Sequence, residues 1–102
     1  MSIKIGGYAF RGPYSSADEL EDRSGVYAIL CKIQGKYVLI DVGESAEVKR
    51  RVENHDRKDC WEEKCQETLL VAAHYTPNLQ KHGRMVVEQE IRNQFDLPCG
   101  KQ

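Results

Sequence analysis

Two stretches, Gly25-Val26-Tyr27-Ala28-Ile29-Leu30-Cys31 and Lys36-Tyr37-Val38-Leu39-Ile40-Asp41-Val42, decide the fold. Both are rich in β-branched and aromatic residues, and Gly35 between them supplies a turn, so an antiparallel hairpin is expected. Further on, Thr68-Leu69-Leu70-Val71-Ala72-Ala73-His74-Tyr75 is a near-continuous apolar run and reads as a third strand buried on both sides. On the other flank, Ile3 to Phe10 reads as a weak strand broken by Gly6-Gly7, with a turn-rich loop at Gly12-Pro13-Tyr14-Ser15-Ser16. Residues 1–24 are therefore expected to form an N-terminal extension packed on the domain. Within it, Ser16 can cap a short helical turn.

Between the strands, Ser45 is placed to cap a helix running from about Ala46 to Asp59. In that helix Val48, Arg51, Val52 and His55 fall at i, i+3, i+4 and i+7, which puts two polar side chains on the inward face. Trp61 to Glu67 reads as charged and irregular. Thr76-Pro77 offers a cap and a first helical residue for a second long helix from Asn78 to Phe95, burying Leu79, Val86, Val87, Ile91 and Phe95. Gly83 weakens that helix and Asp96-Leu97-Pro98 ends it.

A chain of 102 residues with 40% hydrophobic content allows one compact domain over residues 1–102 and one core. The formal net charge of −1 gives no global field for nucleic acid, so any such partner needs a local basic patch. No apolar run is long enough to span a membrane, and the start Met1-Ser2-Ile3-Lys4-Ile5-Gly6-Gly7 lacks the apolar core of a secretory signal. A soluble cytoplasmic protein is expected, with no membrane partner. The four cysteines, Cys31, Cys60, Cys65 and Cys99, are accordingly expected as reduced, partly buried thiols rather than disulfides. A zinc site using Cys60, Cys65 and one of His55, His74 or His82 has poor ligand spacing.

Arg51 and His55 each have an ordinary structural reading, as a snorkelling arginine and a hydrogen-bonded core histidine. Together on an apolar face they ask for an anion, because burying a guanidinium costs several kcal/mol unless it is compensated. A phosphate would compensate it. Glu88 shares a helical face with Ile91 and Phe95 and so is not an ordinary solvated carboxylate, although an i, i+4 ion pair with Arg84 would explain it. Lys49, Arg50, Arg51, Arg57 and Lys58 are interleaved with acidic residues, which reads as a solvated mixed-charge face or as a phosphate track.

Gly25-Val26-Tyr27 resembles the first signature tripeptide of the GIY-YIG nucleases, and Asp41-Val42-Gly43, followed by Glu44-Ser45, resembles the second. Arg51, ten residues after Asp41, is similar to the catalytic arginine on that family's first helix. His55 follows where the family often carries His or Tyr, and Glu88 matches its metal-binding glutamate. The matches span Gly25 to about Pro98. Two positions depart from the pattern: Asp41 stands where the second signature Tyr belongs, and Glu44 replaces the Lys or neutral residue that often follows the signature Gly.

The resemblance implies an α/β (α+β) domain with a small three-stranded antiparallel sheet flanked by helices, one magnesium or manganese ion, and hydrolysis of a phosphodiester in nucleic acid, DNA before RNA. It implies a catalytic set of Tyr27, Asp41, Arg51, His55 and Glu88. Glu88 is the expected metal ligand, Arg51 the phosphate holder, and Tyr27 with His55 the pair that positions or deprotonates water. Asp41 is expected as a second metal ligand or as the base that the absent Tyr would have been. Lys49, Arg50, Glu44 and Ser45 are the substrate-binding candidates, and a homodimer or a targeting partner could supply specificity.

Two other readings stand beside the nuclease. One is a binding module of the same kind without turnover, using Arg51, Lys49 and Tyr27 on a nucleic-acid backbone while Asp41 marks a decayed site. The other is a structural or protein-interaction domain in which Arg51, His55 and Glu88 form a buried polar network.

Overall fold

The computed structural model describes residues 1–100. In chain order it contains β1 (Ser2–Ile5), β2 (Tyr8–Tyr14), a 3-10 turn (Ala17–Glu19), β3 (Gly25–Ile33), β4 (Lys36–Ser45), α1 (Val48–Glu53), α2 (Lys58–Lys64), β5 (Thr68–Tyr75) and α3 (Lys81–Arg92). The strands form one five-stranded sheet in the order β1-β2-β5-β3-β4, with every neighbouring pair antiparallel.

This replaces the expected three-stranded sheet flanked by helices with a larger, strand-dominated one. The difference arises at Gly6-Gly7. Both glycines have positive φ, +59° and +91°, and Ile5 pairs with Tyr8, so they are a two-residue hairpin loop and not a break in one strand. The resulting hairpin adds to the sheet through β2, where Arg11 faces Ala73 and Tyr14 faces Val71. The supposed extension is thus part of the sheet. Gln34-Gly35 closes the β3–β4 hairpin in the same way, with φ of 51° and 81°.

β3 lies between β4 and β5 and is buried on both faces from Gly25 to Cys31, which is why its sequence is apolar without alternation. Val26, Ala28 and Leu30 point to one side, where Phe10, Val42 and Ala72 meet Val87 and Ile91 of α3. Tyr27, Ile29 and Cys31 point to the other, against Val48 and Val52 of α1 and Trp61 of α2. Between β3 and β4 the register slips: Ile29 faces Asp41 but Leu30 faces Leu39, which leaves Ile40 as the extra residue of a β-bulge. Asp41 shares the Ile29 side, towards α2.

The helices are shorter than their periodicity suggests. In place of one helix from Ala46 to Asp59, α1 ends at Glu53 with Asn54 as its C-cap, and α2 begins at Lys58. Residues 54–57 turn the chain so that His55 enters the interior. Ser45 does not cap α1; its Oγ accepts from the Glu47 backbone N–H at 2.9 Å, a local turn, and Glu47 is the N-cap. α3 spans Lys81–Arg92, and Gln80, not Thr76, precedes it. Val87 and Ile91 are buried as expected, whereas Leu79, Val86 and Phe95 are exposed, and Arg84 takes an inward place instead.

The thiol expectation is also corrected. Cys31 on β3 is bonded to Cys65 at the end of α2, and Cys60 within α2 is bonded to Cys99. Both bridges therefore hold the same short helix, one to the sheet and one to the C-terminal segment. No helix among the described residues is long and apolar enough to cross a membrane.

Candidate functional site

Tyr27 lies on β3 directly opposite Gly43 on β4. Its ring covers that glycine so closely that a Cβ at residue 43 would stand 2.0 Å from the Tyr27 hydroxyl oxygen. This gives the second tripeptide's glycine a steric cause, since any side chain there would displace the phenol. Gly25 is confined in a similar way, because a Cβ there would lie 2.5 Å from the His74 carbonyl oxygen on β5.

The turn after α1 brings His55 onto the phenol. Tyr27 Oη and His55 Nε2 are 2.5 Å apart, with both residues buried. On its other side the imidazole packs against Trp61, ring centroids 4.6 Å apart. Its Nδ1 accepts from the Arg57 backbone N–H at 3.0 Å. Burial, assisted by the positive charges of Arg51 and Arg57, pushes the His55 pKa down to about 4. Burial pushes Tyr27 up to about 12 against the opposing pull of Arg57 and Arg51, with Asp41 and Glu88 also acting on the phenol. Both groups are neutral at pH 7.

Asp41 is fully buried beneath this pair and accepts from donors on every side. Oδ2 receives Arg57 Nε at 2.8 Å and the Trp61 indole N–H at 2.8 Å. Oδ1 receives the Val42 backbone N–H at 2.8 Å, Arg92 Nη2 at 3.0 Å and Arg57 Nη2 at 3.3 Å. Burial raises its pKa, but the hydrogen bonds from Arg57, Trp61 and Arg92 outweigh that and hold it below the usual carboxylate range. With its lone pairs taken by the protein, Asp41 is suited neither to a metal ion nor to proton abstraction.

Glu88 is joined to this group through Arg92, whose Nε donates to Glu88 Oε2 at 3.0 Å while its Nη2 reaches Asp41. The alternative Arg84–Glu88 pair does not form. Arg84 instead pairs with Glu44 at 2.9 Å and donates to Ser24 Oγ at 3.0 Å, so Glu44 is committed within the protein. Arg51 is not the buried cation foreseen from periodicity; its side chain is 41% exposed and pairs with Asp56 at 3.3 Å. With Ser45, Glu47, Arg50 and Asn54 it lines an open depression of about 230 Å³. Lys49 is half-buried on α1.

Of the residues singled out in the sequence, Tyr27 and His55 are thus in contact, Asp41 is tied to them through Arg57 and Trp61, and Glu88 is tied to Asp41 through Arg92. Arg50, Arg51 and Ser45 border a neighbouring depression. Arg57 was read only as part of a mixed-charge face or phosphate track, and Trp61 and Arg92 were missed. Only Arg92 left a readable signal, at i+4 from Glu88.

The fit to magnesium or manganese is limited to Glu88. Its Oε2 is shared with Arg92, and one carboxylate suffices for an ion that keeps most of its waters. Among the described residues no group of three or more His, Cys, Asp or Glu side chains is gathered as a metal cluster. The zinc reading loses its thiolates to the two bridges.

The burial of His55 makes an acid-stability prediction. A histidine whose pKa falls from 6.5 unfolded to about 4 folded binds fewer protons in the native state between those values. Its contribution is complete above pH 6.5 and is lost as pH falls to 4, on the order of 3 kcal/mol. Urea unfolding at several pH values should show a steeper rise in stability from pH 4 to 6.5 for the wild type than for His55→Gln. Parallel curves would contradict the burial effect.

No family model, curated protein or solved structure matches this chain.

Proposed function

We propose that the chain is a metal-dependent endonuclease of the GIY-YIG kind, hydrolysing phosphodiester bonds in nucleic acid, with DNA as the first substrate to test. The observation that carries this reading is the Tyr27–His55 contact at 2.5 Å, formed between the first signature strand and the turn after α1. The chain of contacts from Glu88 through Arg92 and Asp41 to Arg57, whose backbone N–H meets His55, supports it, because phosphodiester cleavage needs cationic and metal-binding groups near one centre.

A magnesium or manganese ion held by Glu88 would polarise the phosphoryl oxygen and assist the leaving group. Arg51, at the edge of the open depression, supplies positive charge to the phosphate. Tyr27, protonated at neutral pH, orients water, and His55 supports the phenol from behind. Arg50 and Lys49 extend the basic edge along α1. Asp41 falls outside the reacting set because both of its oxygens are engaged by several protein donors, and Glu44 because it is paired with the buried Arg84; Glu88 shares only Oε2, with Arg92.

One observation favours a second reading, a nucleic-acid-binding module without turnover. Tyr27 and His55 are only 1% and 4% exposed, so the pair is covered in the structure described. The two readings separate in one assay. Labelled single-stranded, duplex and branched DNA and RNA are incubated with magnesium or manganese. The wild type is expected to cleave, and Glu88→Ala and Arg51→Ala each to lose at least about 10²-fold in rate. Binding without cleavage on every substrate would replace the nuclease by the module; loss of neither activity in the variants would remove both residues from the site.

A further inference from the structure

The environment of His55 determines which of its ring nitrogens carries the proton. The Arg57 backbone N–H, 3.0 Å from Nδ1, can only donate, so Nδ1 must present its lone pair. The neutral ring then carries hydrogen on Nε2 and donates to Tyr27 Oη across 2.5 Å. One contact argues the other way: Asp56 Oδ1 is 3.3 Å from Nδ1 and would favour a proton there. That carboxylate is 77% exposed and shared with Arg51, so it is screened and free to turn, whereas the backbone amide is closer and cannot turn. With His55 donating, the hydroxyl hydrogen of Tyr27 is left for a different acceptor.

Asp41 fixes the side chains of the two residues that flank the ring, while the turn after α1 places the amide through the bonds from Lys58 N–H to the His55 carbonyl and from Trp61 N–H to the Arg57 carbonyl. Asp41 grips the Arg57 guanidinium through two nitrogens, at 2.8 and 3.3 Å. It also fixes the Trp61 indole at 2.8 Å, and that indole lies against the imidazole. Residue 57 and residue 61 are the two neighbours that set the position and the proton of His55, and a single carboxylate on the β4 bulge anchors both.

We infer that Asp41 is a positioning residue. Through Arg57 and Trp61 it sets His55 as a hydrogen donor from Nε2 and thereby leaves the Tyr27 hydroxyl hydrogen to an acceptor other than His55. This rests on the nuclease reading only for its catalytic consequence; the proton placement stands by itself. An aspartate in the second tripeptide then neither replaces the missing phenol nor marks its decay. It serves the first tripeptide's phenol from below.

The test is nitrogen NMR on uniformly labelled protein, paired with steady-state cleavage. In the wild type, Nε2 should be the protonated ring nitrogen, and a scalar coupling should pass through the hydrogen bond from the Arg57 amide nitrogen to Nδ1. In Asp41→Asn one donor-facing oxygen becomes an amide group. The coupling should vanish, the ring nitrogens should average between tautomers, and kcat should fall at least about tenfold with KM changed less than about twofold. Arg57→Lys keeps the backbone amide but loses the two-point grip, and should move the same signals; it decides the matter if Asp41→Asn does not fold. A proton on Nδ1 in the wild type, or an unchanged coupling in a folded variant, overturns the inference. Absence of cleavage by the wild type would sink the nuclease reading, while the spectra still decide the role of Asp41.

Discussion

Replacing Asp41 by alanine is expected to lower the unfolding free energy by about 3–5 kcal/mol, measured by denaturant titration, because it removes one partner from a buried charged group. The carboxylate is wholly inaccessible, and it neutralises two guanidinium groups whose side chains are 31% and 12% exposed. Without it Arg57 and Arg92 face each other across an emptied site, and the Trp61 indole N–H loses its acceptor. Arg92 retains Glu88 and the Gly100 carbonyl, so Arg57 and Trp61 carry most of the loss. A metal-binding carboxylate gives the opposite result, since removing such a group commonly leaves stability unchanged or raises it. Loss of less than about 1 kcal/mol would show that the arginines find other partners and that Asp41 is not the anchor described.

Loss of either disulfide is the second large effect. Cys31–Cys65 and Cys60–Cys99 close loops with sequence separations of 34 and 39. In the chain-entropy account, loops of that size restrict the unfolded ensemble by about 4 kcal/mol each. Small domains have a total stability of about 5–15 kcal/mol, so losing both bridges would leave little or none. Protein purified without reductant should show no free thiol under denaturing conditions. The paired variants Cys31→Ser with Cys65→Ser, and Cys60→Ser with Cys99→Ser, should each melt well below the wild type. Titration of four thiols in the unreduced protein would restore the sequence expectation and remove this source of stability.

The β3–β4 hairpin and β5 were legible because their runs of branched and aromatic residues have no competing explanation. Gly6-Gly7 was misread because two glycines are both a break in a strand and a hairpin loop, and only the pairing of Ile5 with Tyr8 decides between them. The helix through Asn54 was overextended for a similar reason. His55 continues the i, i+4, i+7 series in number, yet it reaches the interior by leaving the helix and not by following its face. Periodicity therefore predicted the burial of His55 by the wrong route, and for Arg51 it predicted a burial that does not occur.

Asp41 shows the limit more sharply. A carboxylate at a position where the signature it resembles carries a phenol invites a chemical role. Its side-chain partners from Arg57, Trp61 and Arg92 lie 16, 20 and 51 residues away, and no local pattern joins them. The Tyr27–His55 pairing was legible as membership of one site, but the direction of its hydrogen bond depends on a backbone amide, which side-chain identities do not reveal.

The two bridges interlock in sequence: the second begins at Cys60, before the first has closed at Cys65. A protease that cuts once anywhere between Cys31 and Cys99 therefore leaves its two fragments covalently joined, and they separate on a gel only after reduction. The segment before Cys31 has no such tether. A single cut in the exposed stretch near Glu21 and Asp22 would leave the β1–β2 hairpin held by non-covalent contacts alone, its pairing with β5 and the packing of Ile5 and Phe10 against α3, making it the one piece of the sheet that proteolysis can detach under oxidising conditions.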